Sequence, residues 1–197
     1  MLPIDRKLIL ASASPRRREL LAEAGYRFEV LPAQGVDETF DPTRETPAAL
    51  VQRLAHEKAR EVAEQRIAFP IAARSIVIGC DTIAECKGEV LGKPRDAADA
   101  RRMLEKLSGQ EHRVLSGLCL WPTPENAPLT RLAITVLHMD RLSREQLDEY
   151  LASGQWSGKA GAFGYQDRTG WLHVVAGSES NVVGLPLELL AEMLRCF

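Results

Sequence analysis

Residues 75–84 read SIVIGCDTIA, and how this stretch is read decides the fold. It is apolar and β-branched with no polar alternation, the pattern of a strand covered on both faces inside a mixed sheet. Asp81 interrupts it. A carboxylate in such a strand loses solvation unless a cation, a donor, a metal or a reacting water compensates it. A strand-end aspartate turned to water is the plainer alternative.

Toward the N-terminus, Lys7 to Ala11 reads as a strand, followed by a helix that opens at Pro15 under a Ser14 cap and stops at Gly25. Tyr26 to Leu31 alternates like a second strand. The polar loop VDETFDPTRETP ends with Thr46 as cap and Pro47 as the first residue of a helix, whose Val51, Ala55, Ala59 and Val62 form one stripe. Toward the C-terminus, the turn KGEVLGKP leads to a helix from near Asp96 to Leu107. His112 to Trp121 and Leu129 to Met139 flank a proline-rich connection and predict a long antiparallel hairpin. Ser143 and Gln146 form a capping box for a helix ending at Gly154. GKAGAFGYQ is too glycine-rich for a helix or strand interior and predicts a shaped loop. Trp171 to Ala176 is strand-like, and SNVVGLPLELLAEMLRCF predicts a strand end, a turn and a helix begun by Pro186. Strands and helices mix without strict alternation, so the expected class is α/β with a mixed sheet. With neither repeats nor a low-complexity linker, residues 1–197 are expected to form one domain.

With 197 residues, 45% of them hydrophobic and 26% charged, and a net charge of -2, the chain has an ordinary globular composition. No apolar run approaches the roughly 20 residues that span a bilayer, and MLPIDRK lacks a secretory core, so a cytoplasmic protein with no membrane partner is expected. Cys80, Cys86, Cys119 and Cys196 lack C-x-x-C spacing and read as reduced thiols. The scattered histidines argue against zinc. Without a large basic surface, a nucleic-acid polymer is disfavoured as partner.

SASPRRR places Ser12, Ser14, Arg16 and Arg17 at a helix start, where unpaired N–H groups, hydroxyls and guanidinium forks make a phosphate cradle. Arginine opposes the macrodipole there, so an anion is expected to offset it. Solvated arginines on a capped helix are the alternative. Glu38, with Glu85 or Glu89, offers hard oxygen ligands for Mg²⁺ beside Asp81. Lys93 reads as a point charge on a phosphate, Lys58 sits on the helix face opposite the apolar stripe, and Lys159 and Gln166 bracket the glycine-rich loop. Carboxylate, metal, arginines and lysine in one cleft describe phosphoanhydride hydrolysis. A Ser-His-Asp hydrolase is disfavoured because no G-x-S-x-G elbow occurs, and there is neither a Walker loop nor a GxGxxG motif.

SASPRR, VDE, EKA, the strand ending CDT, GEVLGKPRD, HRVLSG, GKAGAFGYQ and SNVVGLP occur, from about Leu8 to Leu194, in the order seen in the Maf family, which the chain resembles. The resemblance implies an inosine triphosphate pyrophosphatase-like fold, an elongated mixed sheet flanked by helices with a cleft between two lobes. It implies a nucleoside triphosphate pyrophosphatase that yields a monophosphate and pyrophosphate. Asp81 resembles the family's general base, while Arg16, Arg17, Glu38, Lys58, Lys93 and Gln166 resemble its substrate and metal site. Glu38 and Asp81 would be the ligands of Mg²⁺ or Mn²⁺. Arg16, Thr82 and Gln166 match the branch that prefers dTTP and UTP rather than the one acting on 7-methyl-GTP, with Gln166 or Thr82 reading the pyrimidine edge. Tyr165 and Asp167 depart from the family loop. A nucleotide-binding regulator of cell division, or an inosine or xanthosine triphosphate house-cleaning enzyme, are the alternatives. A homodimer is expected, since the hairpin leaves sheet edges to be covered.

Overall fold

The computed structural model describes residues 6–67, 74–125, 127–167 and 169–197, except the side chains of residues 66, 67 and 166. The fold is α/β, a seven-stranded mixed sheet flanked by helices. In chain order the elements are β1 (Lys7–Leu10), α1 (Pro15–Glu23), β2 (Phe28–Val30), α2 (Pro47–Ile67), β3 (Ser75–Cys86), β4 (Glu89–Leu91) and α3 (Ala97–Leu107). β5 (Glu111–Thr123), β6 (Leu129–Met139), α4 (Arg144–Ala152), β7 (Leu172–Ala176), α5 (Glu179–Val183) and α6 (Leu187–Leu194) complete the fold. Two short 3₁₀ turns, Ala160–Ala162 and Tyr165–Asp167, make up the glycine-rich loop.

The strand order is β2-β1-β3-β5-β6-β7, with β4 pairing the far end of β3. β1 pairs parallel with β2 and β3, and the remaining pairs are antiparallel. β3 is buried along nearly its whole length, as its composition demands. Its alternate residues face opposite layers. Ile76, Ile78 and Cys80 join the cluster with Leu21 of α1 and Leu190 and Met193 of α6, while Val77 packs with Ala55, Ala59 and Val62 of α2. Further along, Ala84 and Cys86 enter a separate cluster with Met103 and Leu107 of α3 and Leu147 and Tyr150 of α4. Asp81 and Thr82 fall where β3 passes from one packing unit to the other.

The expected stripe on α2 is complete: Val51, Ala55, Ala59 and Val62 are fully buried. Small residues let this helix lie very close to the sheet. A Cβ built on Gly79 would sit 2.1 Å from the Ala55 carbonyl oxygen, and one on Gly117 would sit 2.0 Å from that of Val51. Gly117 pairs directly with Asp81 across the β3–β5 ladder. The two glycines are thus the seat on which α2 rests, one strand apart and beside the carboxylate.

Several local signals act as read. Thr46 Oγ1 accepts from Ala49 N at 3.2 Å, Asp96 caps α3, and both bonds of the Ser143–Gln146 capping box are present. Two expectations fail. Residues 179–183 form a helix rather than a strand end, because Ser178 caps it by accepting from Asn181 N, which outweighs the β preference of Val182 and Val183. At α1, Ser14 occupies the cap position without a side-chain cap bond; instead Ser12 Oγ accepts from Ser14 N at 3.2 Å. The first turn of α1 also holds no acidic residue.

Substituting Gly117 or Gly79 by Ala forces α2 off the sheet. Each is expected to lower the unfolding free energy in denaturant titrations by about 3 kcal/mol or more, beyond the usual cost of overpacking. Gly92→Ala, whose added Cβ meets nothing within 4 Å, is expected to change stability by no more than about 0.5 kcal/mol.

Candidate active site

The sheet and its two packing units border a cleft of about 700 Å³. Ser12, Ser14, Arg16, Arg17, Glu38, Lys58, Asp81, Thr82, Lys93 and Lys159 all line it. Gln166 lies in the second 3₁₀ turn, and its side chain is outside the described residues.

At the centre, the Lys58 ammonium donates to Asp81 Oδ1 at 2.6 Å and pairs with Glu38 Oε1 at 2.6 Å. Lys58 and Asp81 side chains are each 12% exposed, whereas that of Glu38 is 60% exposed and opens to the cleft. The expected position of Lys58, opposite the apolar stripe, is therefore corrected. It lies between Ala55 and Ala59, the two residues with which α2 touches Gly79, and its ammonium meets Asp81 on the sheet. Burial works against its charge, but Asp81 and Glu38 overcome that and raise its pKa above the ordinary lysine value. The Lys58 hydrogen bond holds Glu38 below the usual glutamate value, with Lys93 and Arg17 adding to the effect.

The proposed companions Glu85 and Glu89 are elsewhere. Glu85 pairs with Arg113 at 2.6 Å and accepts from Gly88 N, and Glu89 pairs with Arg102 and Lys106 beside α3. Their charges are satisfied at the far end of β3, so Asp81 and Glu38 are the acids of the cleft. Among the described residues no three His, Cys, Asp or Glu side chains gather in a metal-binding group.

The cations differ in how firmly the protein engages them. Arg17 bridges three elements, donating Nε to the Gly184 carbonyl at 2.8 Å, Nη1 to Ser12 Oγ at 3.1 Å and Nη2 to Thr82 Oγ1 at 3.2 Å. The Thr82 hydroxyl also bonds Ser116 Oγ at 2.8 Å and the Gly184 carbonyl at 3.2 Å. Its hydrogen-bonding capacity is engaged inside the protein, where it steadies Arg17. Lys159 is paired with Asp167, which also accepts from Tyr150 Oη at 2.6 Å and Gly164 N at 3.2 Å. This buried acid knots the glycine-rich loop to α4 and neutralises the lysine. Arg16 reaches across the cleft to the Gly158 carbonyl at 3.1 Å. Lys93 is exposed where it lines the cleft, and its charge is felt at Glu38.

Sequence reasoning missed Ser116, Gly184, Asp167 as a partner of Lys159, and the two glycines under α2. Only the glycines carried a local signal, since glycine inside an apolar strand marks a close backbone approach.

His112 is a third cleft residue with a shifted pKa. His112 lines the inner wall, its Nδ1 has no hydrogen-bond partner among the described residues, and burial pushes its pKa down to about 4.

Fold and cleft together are those of an α/β protein with a cation-walled pocket beside a carboxylate pair. The chain belongs to the Maf family: the family model described as "Maf-like protein" matches residues 7–197. Among curated relatives, a protein of Rhodopirellula baltica is 46% identical over 99% of this chain and 84% of its own length. One of Citrifermentans bemidjiense is 43% identical over 97% of this chain and 95% of its own. One of Symbiobacterium thermophilum is 45% identical over 98% and 94%. Each of the three is named dTTP/UTP pyrophosphatase.

Because the folded ring of His112 binds its proton more weakly than the unfolded one, the stability it contributes is complete above pH 6.5 and is lost as pH falls toward about 4. In an NMR titration its ring signals are expected to stay those of the neutral form until pH nears 4. A midpoint near 6.5 would contradict its burial.

Proposed function

We propose that the chain is a nucleoside triphosphate pyrophosphatase that hydrolyses the α–β phosphoanhydride of dTTP and UTP. The observation that carries this reading is the shared ammonium of Lys58 between Asp81 and Glu38, facing the cation-bearing start of α1 across one cleft. The naming of the relatives supports the substrate.

Lys58 occupies one oxygen of Asp81 and leaves the other to orient a water and accept its proton. The water oxygen attacks the α-phosphorus, the bond from that phosphorus to the oxygen bridging to the β-phosphorus breaks, and pyrophosphate departs carrying the electron pair. Its charge is met by Arg16, Lys93 and the donors left on Arg17, together with the N–H groups opening α1, where neither an acidic side chain nor a Ser14 cap bond competes. Preorganisation comes from the Thr82–Ser116 pair and the Gly184 carbonyl, which fix Arg17 before substrate arrives.

The donor set fits a divalent cation such as Mg²⁺ or Mn²⁺, which is commonly held by one or two carboxylates plus substrate phosphates rather than by an all-protein cage. Glu38 and Asp81 would hold it, and when bound it would supply charge neutralisation and a more acidic water. Base selection falls to the loop carrying Gln166, tethered through Asp167 to Lys159 and Tyr150 and through Tyr165 Oη to Glu179 at 2.9 Å. A cytoplasmic homodimer completes the reading. Cys80, Cys86 and Cys119 are buried free thiols, and edge strand β7 exposes Val175 at 55%. No helix among the described residues is long and apolar enough to cross a membrane.

Asp81→Asn is expected to lower pyrophosphate release from dTTP and UTP by about 10²- to 10⁴-fold while circular dichroism stays that of the folded protein. Unchanged turnover, or release of inorganic phosphate with a nucleoside diphosphate as product, would overturn the assignment.

A further inference from the structure

The loop between β2 and α2 carries Glu38 but has no regular structure of its own, so other contacts must fix where that carboxylate points. α2 supplies them. Glu61 accepts from Gln34 N at 2.8 Å and Gly35 N at 3.0 Å, and Val36 and Phe40 pack on the apolar cluster of Leu50, Leu54 and Ile83.

Between these anchors lies Arg53. Its Nη1 donates to the Asp37 carbonyl and its Nη2 to the Thr39 carbonyl, each at 3.1 Å, so it grips the backbone on both sides of Glu38. Nε and Nη2 also donate to Glu45 at 3.1 and 2.7 Å, and Nη1 to Glu57 at 3.2 Å. All five guanidinium N–H donors thereby have acceptors. The Asp37 side chain closes a turn around the same residue, accepting from Thr39 N at 2.9 Å and Thr39 Oγ1 at 2.6 Å. The Glu38 side chain reaches inward, to Lys58. A surface ion pair requires only the carboxylates; gripping two carbonyls that bracket a single acid fixes a direction.

Resting on the reading of Glu38 as part of the phosphate and cation site, we propose that Arg53 is a positioning residue. It holds the Asp37 and Thr39 carbonyls so that Glu38 meets Lys58 and the substrate's cation, and it does not itself line the cleft. Lysine cannot replace it, because a compact ammonium lacks the planar fork that spans both carbonyls and Glu45.

The test is a kinetic cycle of wild type, R53K, Glu38→Ala and the double variant, following pyrophosphate release against substrate and Mg²⁺ concentration. R53K keeps a positive charge beside Glu45. It is expected to lower kcat/KM about 10- to 100-fold, as small misplacements in active sites do, and to raise the Mg²⁺ concentration for half-maximal rate as Glu38→Ala does. A merely structural role would not move that Mg²⁺ dependence. In the Glu38→Ala background, R53K is expected to add less than about twofold, since both act through one carboxylate. R53Q, compared at equal folded fraction by circular dichroism, serves as second variant. Wild-type kcat/KM and Mg²⁺ dependence in R53K and R53Q, or losses that multiply in the double variant, would overturn the role of Arg53. Wild-type activity in Glu38→Ala would instead overturn the reading of the site, and the role of Arg53 with it.

Discussion

The close seating of α2 on Gly79 and Gly117 is the constraint on which the rest of the structure depends. Two strand positions without a Cβ let the carbonyls of Val51 and Ala55 press onto the sheet, and Lys58, in the turn between Ala55 and Ala59 that rests on Gly79, reaches Asp81. A side chain at either glycine would lift that helix, separating an ammonium and a carboxylate that are both largely out of water. Removing one partner from such a pair leaves an uncompensated charge. Glu38 meets the same ammonium from the loop side. Lys58 holds its proton above the ordinary lysine value, and Glu38 releases its proton below the ordinary glutamate value.

Around that group the cleft keeps its fixed and available charges apart. Arg17 and Lys159 are engaged with the protein, one tying α1 to β3 and Gly184, the other locked by Asp167 beneath the glycine-rich loop. Lys93 and the unblocked start of α1 both line the cleft. The struts limit reorganisation when a polyanion enters, and the remaining donors meet it. β3 joins these parts mechanically, because it runs from the core under α1 and α6 into the core under α3 and α4 with the carboxylate at the crossing.

Much of the fold was legible because its signals are local. Continuous β-branched character marked β3, the i, i+4 stripe marked α2, and Thr46, Asp96 and Ser143 marked helix starts that the structure uses. Asp81 stood out because its solvation conflicts with its neighbours. The failures share a cause. Lys58 stands seven residues after Val51 and three after Ala55, so helical spacing puts it on the face of the stripe itself; its charge suggests the solvated face, and periodicity is silent only about the strand carboxylate it meets. Lys159 is legible only as one bracket of the glycine-rich loop, because its partner, eight residues on, lies in a loop whose path no pattern predicts. Glu85 and Glu89 looked equivalent to Glu38, and only the pairing of β3 with β4 and β5 carries them away. Residues 179–183 read as strand because valine preference is stronger in sequence than a single serine cap.

The account is tested most directly by a crystal structure of the chain bound to the α,β-imido analogue of dUTP. It predicts the α-phosphate beside Asp81 and Lys58, with the β- and γ-phosphates against the start of α1 between Arg16, Arg17 and Lys93. A triphosphate bound outside this cleft, or a Lys58 ammonium turned away from Asp81 in the complex, would contradict it.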